Sequence, residues 1–199
     1  MQAWSSATAG AVVCIVLFAA CSATSTSRGA VALDDSRVPS TLTVTSSAFA
    51  SNARIPAAYT CDGQASTPPL EWSGPPANTK TFAIVVDDPD APNGDFVHWI
   101  VVDLPATARR LAGAGALPAG AHELDNTGGT RGWTPPCPTP PRSVHHYHFT
   151  VYALSDYVCP DNGDQANTPD CDAPSTQEAL PQIAGDAIAK GALVGTYSR

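Results

Sequence analysis

Asp87-Asp88-Pro89-Asp90-Ala91-Pro92-Asn93-Gly94-Asp95-Phe96-Val97-His98-Trp99-Ile100-Val101-Val102-Asp103-Leu104-Pro105 is an acidic, proline-stiffened turn that runs straight into an apolar strand carrying one histidine. The prolines fix φ and remove backbone donors, so Asp88 and Asp90 are presented on a rigid support. Asn93-Gly94 supplies a hairpin turn. Strand alternation predicts Phe96, His98, Ile100 and Val102 on one face and Val97, Trp99 and Val101 on the other. His98 would then project among apolar neighbours.

Further along, Gly132-Trp133-Thr134-Pro135-Pro136-Cys137-Pro138 forms a second rigid loop, followed by His145-His146-Tyr147-His148-Phe149-Thr150-Val151-Tyr152-Ala153-Leu154. Alternation places His145 and Tyr147 on one face of this strand and His146 and His148 on the other. A carboxylate beside an imidazole orients the ring and stabilises its protonated form, which makes a phosphate donor without any lysine. The bland alternatives are a core histidine for His98 and an Asx-type turn for Asp90. Asp88, Asp90, His98 and His145 also have the composition of a two-histidine carboxylate metal site. No His-Glu-x-x-His, Gly-x-Ser-x-Gly or base-paired nucleophile accompanies them, which disfavours a metal-dependent hydrolase or other enzyme.

Around these segments the chain reads as β-dominated. Thr41–Ser46 alternates with a period of two, and Thr81–Asp87 is a buried-strand run. Nineteen prolines and fifteen glycines fall mostly between the strand runs, where they punctuate turns. One helix is expected near the C-terminus. Ser175-Thr176-Gln177-Glu178 has capping-box spacing, and Leu180, Ile183, Ala184, Ala187 and Ile188 share a helical face. Pro181 suits the first position of the main helix, with Ser175–Ala179 as a separate turn. Gly191 then stops the helix before a short final strand.

A chain of 199 residues with 43% hydrophobic content can bury one ordinary core, so one folded domain is expected. The net charge of −8, with only ten scattered basic residues, argues against nucleic acid and against anionic membrane surfaces. An anionic ligand must therefore be held by a local set of donors. Residues 1–20 are uncharged, and their apolar run at 9–20 suits the core of a signal peptide and is too short to span a bilayer. Phe18-Ala19-Ala20-Cys21 looks like a lipobox, which would make Cys21 the lipid-bearing first residue of an exported protein held at the outer face of a bacterial membrane. Simple secretion is the alternative. Residues 21–40, rich in Ser, Thr and Ala, read as a flexible tether, leaving 41–199 as the domain. Cys61, Cys137, Cys159 and Cys171 then remain, and an even count in an exported chain implies disulfides with three possible pairings. Joining Cys159 to Cys171 would constrain a polar loop and leave Cys61 for Cys137. Buried free thiols are the alternative.

Cys61-Asp62-Gly63, Ser66-Thr67-Pro68-Pro69-Leu70 and Trp72, the Asp88–Pro92 turn, His98-Trp99, the 132–138 loop, His145-His146-Tyr147 and Gly195-Thr196-Tyr197-Ser198-Arg199 stand in one order along the chain. Together they resemble the motifs of the phosphatidylethanolamine-binding protein family, most closely its bacterial Raf-kinase-inhibitor-like branch. The resemblance implies an antiparallel β-sandwich with a short C-terminal helix. It implies a pocket built from Asp88, His98, His145 and Tyr147, with Pro92, Pro136 and the second loop at its rim; Asp90, read from the turn itself, is a further ligand-binding candidate. It departs from the family where Trp133-Thr134-Pro135 replaces a glycine-rich stretch and where His146 stands in place of an arginine. The implied function is non-catalytic binding of a small phosphate- or carboxylate-bearing group, such as a phospholipid head group, with no cofactor. The alternative is an extracytoplasmic regulator of a protease or signalling protein.

Overall fold

The computed structural model describes Met1 and residues 33–139, 142–159 and 176–199. The remainder of the expected signal peptide, Cys21, the tether as far as residue 32, and Cys171 with the 160–175 loop lie outside the described residues. Eight strands and one helix make up the described fold: β1 (Thr43–Thr45), β2 (Leu70–Ser73), β3 (Thr81–Asp88), β4 (Phe96–Pro105), β5 (Arg110–Leu111), β6 (His122–Glu123), β7 (His145–Leu154), α1 (Thr176–Asp186) and β8 (Ala187–Tyr197). They form an antiparallel three-stranded sheet in the order β1-β2-β5 and an antiparallel five-stranded sheet in the order β6-β4-β3-β7-β8. The fold is the expected sandwich with a single short helix.

Both faces of the large sheet are covered, which is why β3, β4 and β7 are nearly continuous apolar runs rather than alternating ones. One face packs on the small sheet: Phe82, Ile84, Val86, Trp99, Val101, Phe149 and Val151 meet Val44, Leu70, Trp72 and Leu111. Trp72 stands edge-on to Phe82 with ring centroids 5.5 Å apart. The other face carries Ala83, Val85, Val97, Ile100, Val102, Tyr152 and Leu154 and is closed by Ala179, Leu180 and Ile183 of α1. Each fully buried side chain of this size stabilises the fold by about 1.5–3 kcal/mol relative to exposure.

β4 does not alternate as predicted. Val86 pairs with Trp99 while Asp87 pairs with Val97, so His98 is the extra residue of a β-bulge. The bulge turns His98 to the side of Trp99 and away from Ile100 and Val102. A second register shift follows between Phe82 and Ile84, near Asp103, whose φ is +57°. The buried Asp103 carboxylate accepts hydrogen bonds from the backbone N–H of Val158 (2.9 Å) and Cys159 (2.8 Å) and so anchors the chain after β7.

The C-terminal region also departs from expectation. α1 runs from Thr176 to Asp186 with an exposed Pro181 inside it, and Ala187 and Ile188 belong to the eleven-residue β8 rather than to the helix. Apolar spacing over 180–188 fits either element. The free edge of β7 decides, because β8 satisfies its backbone groups from Leu154↔Ala187 to His145↔Tyr197. The packed chain also begins before Thr41. Lys190 pairs with Asp35 at 2.7 Å, the Tyr152 hydroxyl donates to Asp35 at 2.6 Å, and Ser40 bridges to Lys190, so residues 33–40 lie on the sheet rather than forming tether.

Small residues on β8 let neighbouring segments approach. A Cβ on the buried Gly195 would lie 2.6 Å from Ile55 Cγ1 and 2.8 Å from Phe49 Cε2. Gly195→Ala is therefore expected to cost about 1–3 kcal/mol through overpacking, measured as a lower urea midpoint with an unchanged slope.

Candidate functional site

β3 ends with two adjacent aspartates that leave the sheet on opposite faces. Asp88 follows Val86 and Ile84 to the side of the sandwich core, where Oδ2 accepts a hydrogen bond from His145 Nδ1 at 2.7 Å. Its other oxygen accepts the Asp90 backbone N–H at 3.0 Å, closing an Asx-type turn over Pro89. Asp88 and His145 are only 3% and 4% exposed, so this is a desolvated pair.

His98 reaches the same place because of the bulge. A bulge strips β4 of its regular partners at this point, and the loop after β6 supplies replacements. Val97 N–H donates to Thr127 Oγ1 at 2.9 Å, Thr127 N–H donates to Val97 O at 3.0 Å, and Thr134 N–H donates to His98 O at 2.9 Å. His98 Nδ1 in turn donates to the Thr134 carbonyl at 2.7 Å, and Nε2 is left facing Asp88 Oδ2 at 4.0 Å. The ring is flanked by Phe96 at 4.7 Å and by Tyr147, edge-on, at 5.3 Å between centroids. Burial holds the His98 imidazole below its ordinary range, although the Thr134 carbonyl and Asp88 pull the other way. The Tyr147 ring is fully buried, and its hydroxyl lies beside the Asp88 carboxylate without a hydrogen bond of good geometry. Burial first, and the Asp88 charge second, raise this hydroxyl well above the usual phenol range, so it stays protonated.

These groups line a cavity of about 700 Å³. Pro92 and Phe96 come from the first expected segment, Pro135, Cys137 and Pro138 from the second, and Thr176 and Gln177 from the start of α1. Of the residues singled out from sequence, Asp88, Pro92, His98, His145 and Tyr147 converge here. Asp90 and Pro136 do not. Asp90 turns outward, where Oδ2 accepts from His146 N–H at 2.8 Å and from His146 Nδ1 at 2.7 Å, and this pairing keeps its carboxyl below the usual range. Pro136 is buried with its carbonyl accepting from Cys61 N–H at 3.1 Å, and the neighbouring prolines form the wall instead. Asp88, His98 and His145 do meet, but His145 commits its Nδ1 to Asp88 and His98 commits its Nδ1 to the Thr134 carbonyl. Among the described residues no group of three His, Cys, Asp or Glu has a metal-holding arrangement.

The disulfide Cys61–Cys137 ties the 3₁₀ turn Ala57–Tyr59 and its following loop to the cavity wall, across a sequence separation of 76. Cys159 is also disulfide-bonded. The Cys171 of its expected pairing lies outside the described residues. Asp62, next to Cys61, accepts from the Tyr197 hydroxyl at 2.8 Å and pairs with Arg199 at 3.1 Å, so the C-terminal motif braces the same turn.

Two supports were not foreseen. The buried Asn126 donates through Nδ2 to Gly132 O (3.0 Å) and Thr134 Oγ1 (2.8 Å) and accepts from Gly128 N–H (2.9 Å), holding the loop that fixes His98. Its Asn-Thr-Gly-Gly turn composition is the available signal. Asp87 was passed over beside Asp88. It enters the opposite face at a second cavity of about 290 Å³, shared with Asp35, Asp95, His148, Tyr152 and Lys190. Burial first, then the charges of Asp95, Asp35 and Asp88, push its carboxyl up to about 8.

Comparison with known proteins agrees with this architecture. The chain is 36% identical over 156 residues to a UPF0098 protein of Methanothermobacter thermautotrophicus, covering 76% of this chain and 95% of the relative. It is 45% identical over 113 residues to a Mycobacterium tuberculosis protein provisionally named lipoprotein LppC, covering 57% of this chain and 55% of that protein. The crystal structure of Escherichia coli YbcL, titled a new member of the mammalian PEBP family, superposes with a TM-score of 0.70 at 29% identity, over 80% of this chain and 99% of YbcL. With the family model described as phosphatidylethanolamine-binding protein matching residues 45–198, the chain belongs to the phosphatidylethanolamine-binding protein family.

Proposed function

We propose that this protein binds, without transforming it, a small phosphate- or carboxylate-bearing group in the cavity floored by Asp88, His98, His145 and Tyr147. The observation that carries the reading is the convergence of two buried histidines and the Tyr147 hydroxyl around the Asp88 carboxylate, in the floor of a cavity of about 700 Å³. Pro92, Pro135 and Pro138 supply a stiff rim that needs little reordering on binding. Among the described residues no serine lines the cavity, and its cysteine, Cys137, is held in a disulfide, which supports binding rather than catalysis by either residue type. A phospholipid head group is one source of such a ligand and a free phosphate monoester another. The lipobox-like Phe18–Cys21 and the provisional naming of LppC support a lipid-anchored, exported protein, which would hold the cavity close to lipid.

Calorimetry with phosphoethanolamine tests the reading. Binding is expected to strengthen from pH 8 to pH 6 by up to about tenfold per pH unit, because imidazolium is the better anion donor. Absence of binding throughout that range would sink the proposal.

A further inference from the structure

We propose that occupation of this cavity by a phosphate dianion takes up one proton from solvent, held on Nε2 of His98 against a phosphate oxygen. The inference rests on the binding reading above and concerns the protonation state in which the site works. It starts from the hydrogen bonds that the two rings already make. A carbonyl oxygen can only accept, so His98 Nδ1, 2.7 Å from Thr134 O, carries a hydrogen. A carboxylate likewise only accepts, so His145 Nδ1, 2.7 Å from Asp88 Oδ2, carries one as well. In its neutral form each ring then offers the cavity a bare Nε2, which is an acceptor.

The rest of the lining deepens the mismatch with a dianion. The charged and titratable groups around His98 are Asp88 from β3, Asp95 from the β3–β4 turn, Asp125 from the loop after β6, and His145 and Tyr147 from β7. None of the described lining residues is Lys or Arg. With both rings neutral, the floor sets the Asp88 carboxylate and two imidazole lone pairs beside a Tyr147 hydroxyl that itself lies against Asp88, and the other side-chain donors of the lining are neutral amides and hydroxyls such as Asn93, Thr139 and Gln177. A dianion placed there meets repulsion unless a proton enters with it.

Two features place that proton on His98. Its Nε2 points across the floor, 4.0 Å from Asp88 Oδ2, too far for a direct hydrogen bond but close enough for the carboxylate to favour an imidazolium. The empty pocket keeps the ring neutral, since burial holds it below its ordinary range. A ring that is neutral when empty and cationic when filled must collect its proton during binding. The balance is one N–H bond formed at Nε2, with the proton drawn from buffer and returned on release.

The experiment is calorimetry of the intact domain with phosphoethanolamine at pH 8, where a phosphate monoester is a dianion, in buffers of different ionisation enthalpy. The slope of heat against buffer enthalpy counts protons. The wild type is expected to take up about one proton per ligand. His98→Gln, which keeps a side-chain amide donor but cannot be protonated, is expected to bind more weakly with uptake near zero. As a measurement independent of the variant, the ¹⁵N shift of wild-type His98 Nε2 should move from the unprotonated to the protonated range on adding phosphoethanolamine. Binding without proton uptake, uptake preserved in His98→Gln, or an unmoved Nε2 shift in saturated protein overturns this inference and leaves the binding reading intact. No binding at any pH overturns the binding reading itself.

Discussion

Asp87→Asn is expected to be more stable than the wild type at pH 7.5 by roughly 2–4 kcal/mol. Asp87 has a folded carboxyl pushed up to about 8 from an ordinary value of 3.8, by burial and then by Asp95, Asp35 and Asp88. Between those two values the unfolded chain has released the proton and the folded chain still holds it. Folding therefore binds a proton, and stability falls as pH rises, by up to about 1.4 kcal/mol per pH unit, until Asp87 ionises in the folded state as well. Asparagine is neutral in both states and removes that slope. The gain falls short of the full linkage because the side chain is 21% exposed. Urea unfolding of both proteins from pH 4.5 to 8.5 should give curves that diverge with rising pH. Parallel curves would show that Asp87 ionises normally.

The second large effect is expected from Cys61→Ala combined with Cys137→Ala. The bridge closes a loop with a sequence separation of 76, for which the chain-entropy account gives about 4 kcal/mol. For a domain of this size that corresponds to a fall in Tm of roughly 10 °C. Replacing both cysteines is preferable to reduction, because Cys159 is also disulfide-bonded and would be reduced too. Thr134 N–H donating to His98 O, Gly132 N–H donating to Leu124 O and the Asn126 side chain donating to Gly132 O hold the loop, while Cys137 is the covalent tie further along. The variant should thus unfold at lower temperature yet keep the His98 ring in place. An unchanged Tm would show that the bridge only fastens a turn already held by Asp62, Tyr197 and Arg199.

The two proline loops and their histidine strands were legible in the sequence because each is a local pattern. Proline spacing dictates stiffness, and period-two alternation dictates which side chains leave a strand together. His145 and Tyr147 line the cavity while His146 and His148 face elsewhere, as alternation requires. The same rule misplaced His98, because a bulge resets the count and arises from pairing between β3 and β4 rather than from β4 alone. It also gave no reason to separate Asp90 from Asp88. Their different fates depend on His146 waiting outside the turn and His145 inside it.

The chain by itself determined the family, the sandwich, the strand segments and most of the residues at the cavity, since motif order, turn chemistry and apolar runs are written in neighbouring residues. Tertiary structure alone decided the bulge at His98, the strand rather than helix at Ala187–Ile188, the docking of residues 33–40 and the opposed settings of Asp87 and Asp88. It also decided which nitrogen of each cavity histidine carries its hydrogen. Register, free sheet edges, desolvation and hydrogen-bond partners are properties of segments distant in sequence that meet only in the folded chain.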